Sequence, residues 1–292
     1  MLSIEDAIRI GLEKNYNVLV SKNLNQISKV QNNIGNAGMS PTVSLNGNYN
    51  YSNLNSHQEF NTGAIQDKAG ANSTSYGASA NVSWLIFDGM RMFAVRKRLG
   101  MNEQLTELQL RKQMENTIHD IILGYYDIVR IKSLIKAQNQ NLLVYSERKS
   151  IAQVKMDVGS ASNVDFLLTQ SDENRAKSDL FQLDLQLITA KATLNNLMVR
   201  PVDIDFNTSD SIIATYNPSL DELKKTVLEK NSDILISRQN EMIIGQTIRE
   251  AQALNLPFIQ LNGAYNLTGL KSQAGFVFLS RQIGPTAGIT AN

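Results

Sequence analysis

Side chains able to do acid–base or metal chemistry are few in this sequence and poorly grouped. It has two histidines, His57 and His119, and no cysteine. The lack of cysteine excludes disulfides, zinc–cysteine sites and thiol catalysis, and leaves the compartment open. His57 falls in a polar stretch expected to be a loop, and His119 on a helix. Neither has an evident partner, and a catalytic or metal site needs convergent groups. The carboxylates are scattered over expected helix surfaces, and no glycine-rich phosphate loop is present. Glu103, Lys112, Glu147 and Lys177 are expected on solvated helix faces. The expectation is a protein that is not an enzyme, with no cofactor and no metal. Lysine plus arginine is 28 and aspartate plus glutamate 27, so nothing in the charge balance favours nucleic acid or an acidic substrate. What the residues do offer is the chemistry of surfaces: apolar stripes, and strands with one apolar and one uncharged polar face.

The elements that carry those surfaces centre on residues 89–198. Met114, Ile121, Ile128, Ile135 and Leu142 recur every seventh residue, and Ala176, Leu180, Leu183, Leu187, Ala190, Leu194 and Leu197 alternate steps of four and three. Both patterns are coiled-coil seams. Between Gly89 and Gly159 there is no proline, and the only glycines are Gly100 and Gly124. Two long helices folded back at Gly159 are therefore expected. The first would span on the order of 100 Å at ~1.5 Å per residue, a rod that bridges a distance or lines a tube. Gly159 suits a left-handed helix end. Ser162 suits the cap of the second helix, with Asp165 near its positive end. Before the hairpin, Leu2–Asn15 reads as an amphipathic helix and Val18 to about Ala37 as a second helical stretch, within helical bounds of 2–38.

Between these helices and the hairpin the period changes to two. Val43, Leu45, Tyr49 and Tyr51 alternate with Ser44, Asn46, Asn48 and Asn50. Tyr76, Ala78, Ala80, Val82, Trp84 and Ile86 alternate with Gly77, Ser79, Asn81 and Ser83. Strands are expected at 41–52 and 75–87, joined by a long polar loop, Asn53–Thr74. One account is a hairpin on a soluble core. The other is a membrane β-barrel, whose strands need ~9–11 residues, alternate apolar-out with polar-in, and carry aromatic girdles. No apolar run approaches the ~20 residues of a transmembrane helix. No secretory signal is visible at Met1, so a mature or truncated form is expected.

The opening recurs. Leu12-Glu13-Lys14-Asn15 returns as Leu228-Glu229-Lys230-Asn231, Pro41 as Pro257, Leu45-Asn46-Gly47 as Leu261-Asn262-Gly263, and Tyr49-Asn50 as Tyr265-Asn266, all at one offset. Residues 1–218 thus form a first repeat, with a connection at 199–218, and 219–292 an incomplete second one. Leu256–Leu267 is expected as a strand, and Gly288–Asn292 as the beginning of another. No second hairpin follows, so the chain is expected to be a fragment that does not close a tunnel alone.

This order resembles the outer-membrane efflux protein family, the TolC-like channel-tunnels. The motifs that carry the resemblance are Leu2-Ser3-Ile4-Glu5-Asp6-Ala7-Ile8, Pro41-Thr42-Val43-Ser44-Leu45, Leu85-Ile86-Phe87-Asp88-Gly89, and the tip Lys155-x-x-x-Gly159-x-x-Ser162-x-x-Asp165. The resemblance covers essentially the whole chain. It implies a mainly α fold with membrane β-strands and an internal duplication. A long antiparallel coiled-coil hairpin would join an α-barrel, and the β-hairpins would join a shared twelve-stranded β-barrel of a homotrimer. It also implies residence in the outer membrane of a Gram-negative bacterium, extending into the periplasm. The implied partners are a periplasmic adaptor and an inner-membrane transporter, in multidrug efflux or type I secretion.

On that resemblance Lys155, Gly159, Ser160, Ala161, Ser162 and Asp165 form an adaptor-docking tip. Val43, Leu45, Tyr49, Tyr51, Val82 and Trp84 face outer-membrane lipid, while Asn46, Asn48, Asn81 and Ser83 face a watery lumen. Two rivals remain: a periplasmic adaptor, and a coiled-coil scaffold without a channel. An adaptor would flank its hairpin with halves of a lipoyl-like domain rather than with duplicated amphipathic strands. A scaffold leaves the asparagine-rich strand faces unexplained.

Overall fold

The computed structural model describes residues 1–208, 218–274 and 277–292. The predicted connection at 199–218 therefore lies in part, at 209–217, outside the described residues. In order the elements are α1 (Ile4–Lys14), α2 (Tyr16–Gln31), β1 (Thr42–Glu59), β2 (Ile65–Asp88), α3 (Arg91–Asp157), α4 (Asn163–Leu197), α5 (Leu220–Lys230), α6 (Ser232–Ala253), β3 (Phe258–Ser272) and β4 (Leu279–Ala291). The chain forms two compact units, one of residues 1–26 and 106–237, the other of residues 27–105 and 238–292.

The first unit contains the helical hairpin from Thr106 onward. Ile121, Tyr125, Ile128, Leu194 and Met198 are buried there with Leu2 and Ala7. The predicted seams hold: Ile121, Ile128, Ala176 and Leu194 are buried, and the other seam residues are half-buried. Seam positions filled by polar side chains were not evident from the sequence. Tyr125 is fully buried because its hydroxyl donates to the Leu2 carbonyl at 2.9 Å. Gln138 donates across the hairpin to the Ala176 carbonyl at 3.2 Å. Each polar group has a backbone partner, so its burial carries little penalty. Gly11 packs so closely on α3 that a Cβ there would lie 2.2 Å from Cδ1 of Ile121. No helix among the described residues is long and apolar enough to cross a membrane.

The second unit contains one four-stranded antiparallel sheet in the order β1-β2-β3-β4. Besides α2, which ends at Gln31 rather than near Ala37, two sequence expectations are corrected here. Asn53–Thr74 is not a loop: β1 runs on to Glu59 and β2 starts at Ile65. The chain reverses between them, where Phe60 N–H donates to the Ala64 carbonyl and Gly63 adopts φ 79°. This part of the ribbon is largely polar on both faces, so it has no hydrophobic alternation to reveal it. Its own amides hold it: Asn53 Nδ2 donates to Asn72 Oδ1 at 2.6 Å, and Gly70 N–H to Asn55 Oδ1 at 2.9 Å. His57 consequently sits in a strand, paired with Asp67 across the hairpin. The second correction concerns Gly288–Asn292, which ends β4 rather than beginning it; the strand starts at Leu279.

The strand-to-helix junction is tightly specified. Asp88 Oδ1 accepts from the Met92 amide at 3.1 Å, capping the start of α3. Gly89 and Met90 take φ of 67° and 72°. A Cβ on Gly89 would lie 2.6 Å from the Ala253 carbonyl oxygen and from Cβ of Leu256.

Candidate functional site: a two-faced sheet and a hairpin tip

Directly paired residues of an antiparallel ladder point to the same side of the sheet. The register pairs Val43 with Val82, Leu45 with Ala80, Tyr49 with Tyr76 and Tyr51 with Thr74. It continues from Trp84 to Leu261 and Ile289, and from Ala78 to Leu267 and Ile283. Val43, Leu45, Tyr49, Tyr51, Val82 and Trp84 therefore share one face. The opposite face pairs Asn46 with Ser79, Asn48 with Gly77, Ser44 with Asn81 and Thr42 with Ser83, so Asn46, Asn48, Asn81 and Ser83 lie together. It extends over Gln260, Asn262, Asn266, Thr286 and Thr290.

The apolar face is uncovered. Leu45 is 81 % exposed and Val43 and Tyr49 are each 70 % exposed. Burying a leucine side chain is worth ~1.5–3 kcal/mol, and a contiguous apolar face of this extent marks a surface meant for an apolar partner. The other face is polar without being charged. From Thr42 to Ser52, Ser73 to Leu85, Gln260 to Leu270 and Ser280 to Thr290, its side chains include no Asp, Glu, Lys or Arg. Asn262 Nδ2 donates to Thr290 Oγ1 at 3.2 Å and Asn266 Nδ2 to Thr286 Oγ1 at 3.3 Å. The amides thus satisfy one another across strands while remaining wettable. At one end of the apolar face the Trp84 indole donates to the Met39 carbonyl at 3.1 Å.

The hairpin tip is built from caps. Gly159 has φ 73°, and the Ser160 amide reaches back to the Lys155 carbonyl at 2.8 Å, closing α3. Ser162 and Asp165 form a reciprocal capping box at the start of α4. The Ser162 hydroxyl, and then its backbone amide, hold the Asp165 carboxyl below the ordinary carboxylate range. Lys155, Ser160, Ala161 and Asp165 line one shallow groove with Arg148, Ile151, Ala152 and Thr169. Gly159 and Ser162 shape the turn beside it. Val158 and Val164 are exposed, leaving apolar surface at the tip.

Some charged residues are less free than the sequence suggested. Lys177 binds Glu173 at 2.9 Å, Lys112 pairs with Asp233, and Glu103 accepts from Asn32 at 2.6 Å; Glu147 remains exposed. Glu173 continues the seam three residues before Ala176, but its charge masked that position in the sequence. Its side chain is 7 % exposed, clamped by Lys149 from α3 and Lys177 from its own helix. The Lys149 hydrogen bond, then that of Lys177, lowers its pKa from the ordinary 4.5. A depressed carboxylate stabilises above its unfolded pKa and loses that contribution as pH falls through its folded pKa. Thermal unfolding of the hairpin should therefore shift down on acidification below about 4.5, and Glu173→Gln should abolish that component. An acid shift equal in the variant and the parent would discard the clamp as its cause.

Neither His57 nor His119 lies in a group of three or more His, Asp or Glu side chains able to hold a metal, and none exists among the described residues.

This fold has relatives among known proteins. A family model described as outer membrane efflux protein matches residues 20–199. Outer membrane efflux protein BepC of Brucella suis is 21 % identical over 183 residues, 62 % of this chain and 39 % of that protein. Toxin and drug export protein A of Aggregatibacter actinomycetemcomitans is 22 % identical over 214 residues, 70 % of this chain and 45 % of that one. The chain thus spans less than half the length of either relative. Among solved structures, the outer-membrane channel OprN superposes with TM-score 0.74 at 15 % identity, covering 98 % of this chain and 63 % of that one. VceC of Vibrio cholerae gives 0.73 at 13 %, covering 98 % and 67 %.

Proposed function

Because the chain belongs to the outer membrane efflux protein family, we propose that it supplies wall segments of a channel-tunnel, a passive exit duct for efflux or type I secretion. Its place is the outer membrane of a Gram-negative bacterium, extending into the periplasm. The observation that carries the proposal is the sheet with an uncovered apolar face and an uncharged polar face. A barrel wall between lipid and water needs that combination; a soluble core would cover the apolar side. In this reading Val43, Leu45, Tyr49, Tyr51, Val82 and Trp84 contact lipid, and Asn46, Asn48, Asn81 and Ser83 line the lumen. Because β4 is a full strand rather than its first few residues, three copies would close a twelve-stranded barrel, contrary to the expectation from sequence, and remove every open strand edge. Apolar residues left exposed on the hairpin, among them Leu143, Ile151, Phe181, Leu185 and Ile188, would pack on neighbouring helices of an α-barrel. The duplicated strand pairs, β1–β2 and β3–β4, represent the two repeats, 1–218 and 219–292.

The proposed partners are a periplasmic adaptor, held at the tip residues Lys155, Gly159, Ser160, Ala161, Ser162 and Asp165, and an inner-membrane transporter beyond it. The capping role of Gly159, Ser162 and Asp165 makes them poor probes, since their replacement disturbs the turn itself. Ala161→Arg leaves the caps in place. In the host cell this variant should assemble as the parent does, yet lose most adaptor crosslinking and accumulate an exported dye as a gene deletion does. Normal assembly with unchanged crosslinking and unchanged efflux would rule out docking at the tip.

A further inference from the structure

The ladder places two cations at one end of the apolar face. Tyr49, Tyr76, Gly269 and Arg281 form one row of that face, and Tyr51, Thr74, Lys271 and Leu279 the next. The rows between these and Trp84 contain no charged residue. Leu261, in the Trp84 row, and Lys271 are ten residues apart on β3. At ~3.3 Å per residue and a barrel tilt of ~40°, that separation is ~25 Å of height, the thickness of the apolar band of an outer-membrane barrel. Trp84 and the pair Lys271 and Arg281 therefore mark its two borders, with the cations at the end remote from the helix junctions.

Three donors lie on adjacent rows at that border. The Tyr76 ring lies over Gly269, where a Cβ would fall 2.1 Å from Cζ. Its hydroxyl is thereby carried toward the strand of Arg281, which is the ladder partner of Gly269. Lys271 rests its ammonium 5.3 Å from the Phe278 ring. Neither Lys271 nor Arg281 is ion-paired with a carboxylate among the described residues. A cation at the lip of an apolar surface in lipid meets headgroups, and the headgroup feature complementary to an ammonium, a guanidinium and a phenol together is a phosphate.

Resting on the barrel reading above, we propose that Lys271, Arg281 and Tyr76 bind the phosphate of a lipid headgroup in the outer leaflet. The apolar rows beneath, Leu267 and Ile283 foremost, hold its acyl chains. The site fixes the height of the barrel in the membrane as well as choosing its lipid neighbours.

The test uses the full chain in bilayer nanodiscs, with bis-phosphorylated lipid A and its dephosphorylated form as probes, and retained lipid counted by native mass spectrometry. The parent should retain the phosphorylated probe over the dephosphorylated one. Lys271→Gln with Arg281→Gln should lower retention of the phosphorylated probe about twenty-five-fold, at roughly fivefold per cation. The dephosphorylated probe should be unaffected. Lys271→Arg with Arg281→Lys should keep the preference, which separates charge from a folding defect. Equal retention of both probes by the parent, or undiminished preference in the double glutamine variant, would overturn the phosphate site. Failure of the parent to enter the bilayer at all would overturn the barrel reading and the site with it.

Discussion

Gly89→Val should unfold the strand-to-helix junction, while Gly159→Ala at the hairpin tip should cost far less. Both glycines have the left-handed φ, 67° and 73°, so each substitution incurs backbone strain. They differ in space. Around Gly159 nothing lies within 4 Å of an added Cβ, whereas at Gly89 the Ala253 carbonyl and Leu256 Cβ stand at 2.6 Å. Neither neighbour is the free end of a flexible chain, so the junction must move as a whole. A β-branched residue in this conformation, plus the backbone overlap, should cost about 3 kcal/mol or more. Alanine at Gly159 should cost about 1 kcal/mol. Urea unfolding monitored by helix content and by Trp84 fluorescence separates the two. Equal losses at both sites would mean that the close approach at Gly89 is unimportant.

The second large effect follows from the two faces. Leu45→Arg should lower the stability of the inserted barrel by about 2–4 kcal/mol near the bilayer midplane, and Asn46→Arg by far less. The residues are adjacent on β1 and share nearly the same depth, so their direction is the main difference. Assembly into phospholipid vesicles, followed by denaturant titration, measures both. A similar penalty at Leu45 and Asn46 would speak for a sheet with the same medium on both sides.

These effects depend on structure that was partly legible in the residue order. The hairpin was legible because apolar residues repeating every seven positions, as Ile121 and Ile128 do, fit a coiled-coil seam and little else. The faces of β1 and β2 were legible wherever tyrosine, valine or tryptophan alternated with asparagine or serine. Between Asn53 and Thr74 most side chains suit water, so the backbone ladder that pairs them leaves no pattern in residue type. Tyr125 and Gln138 were missed for the converse reason: distant carbonyls satisfy their polar groups, and sequence does not announce a distant acceptor. Lys271 and Arg281 lie apart in the chain and become neighbours only through the register of β3 with β4.

The absence of cysteine permits the most direct test of a lipid–water boundary along the sheet. Single cysteines are placed in turn at Ala78, Ser79, Ala80, Asn81, Val82, Ser83 and Trp84 of β2, and the protein is inserted into bilayers. A membrane-impermeant maleimide should then label positions 79, 81 and 83, and leave 78, 80, 82 and 84 unlabelled until detergent is added. A bromine-bearing lipid should quench a fluorophore at the second set and not at the first. Labelling that is uniform along β2, or that is unchanged by detergent, would contradict the barrel wall.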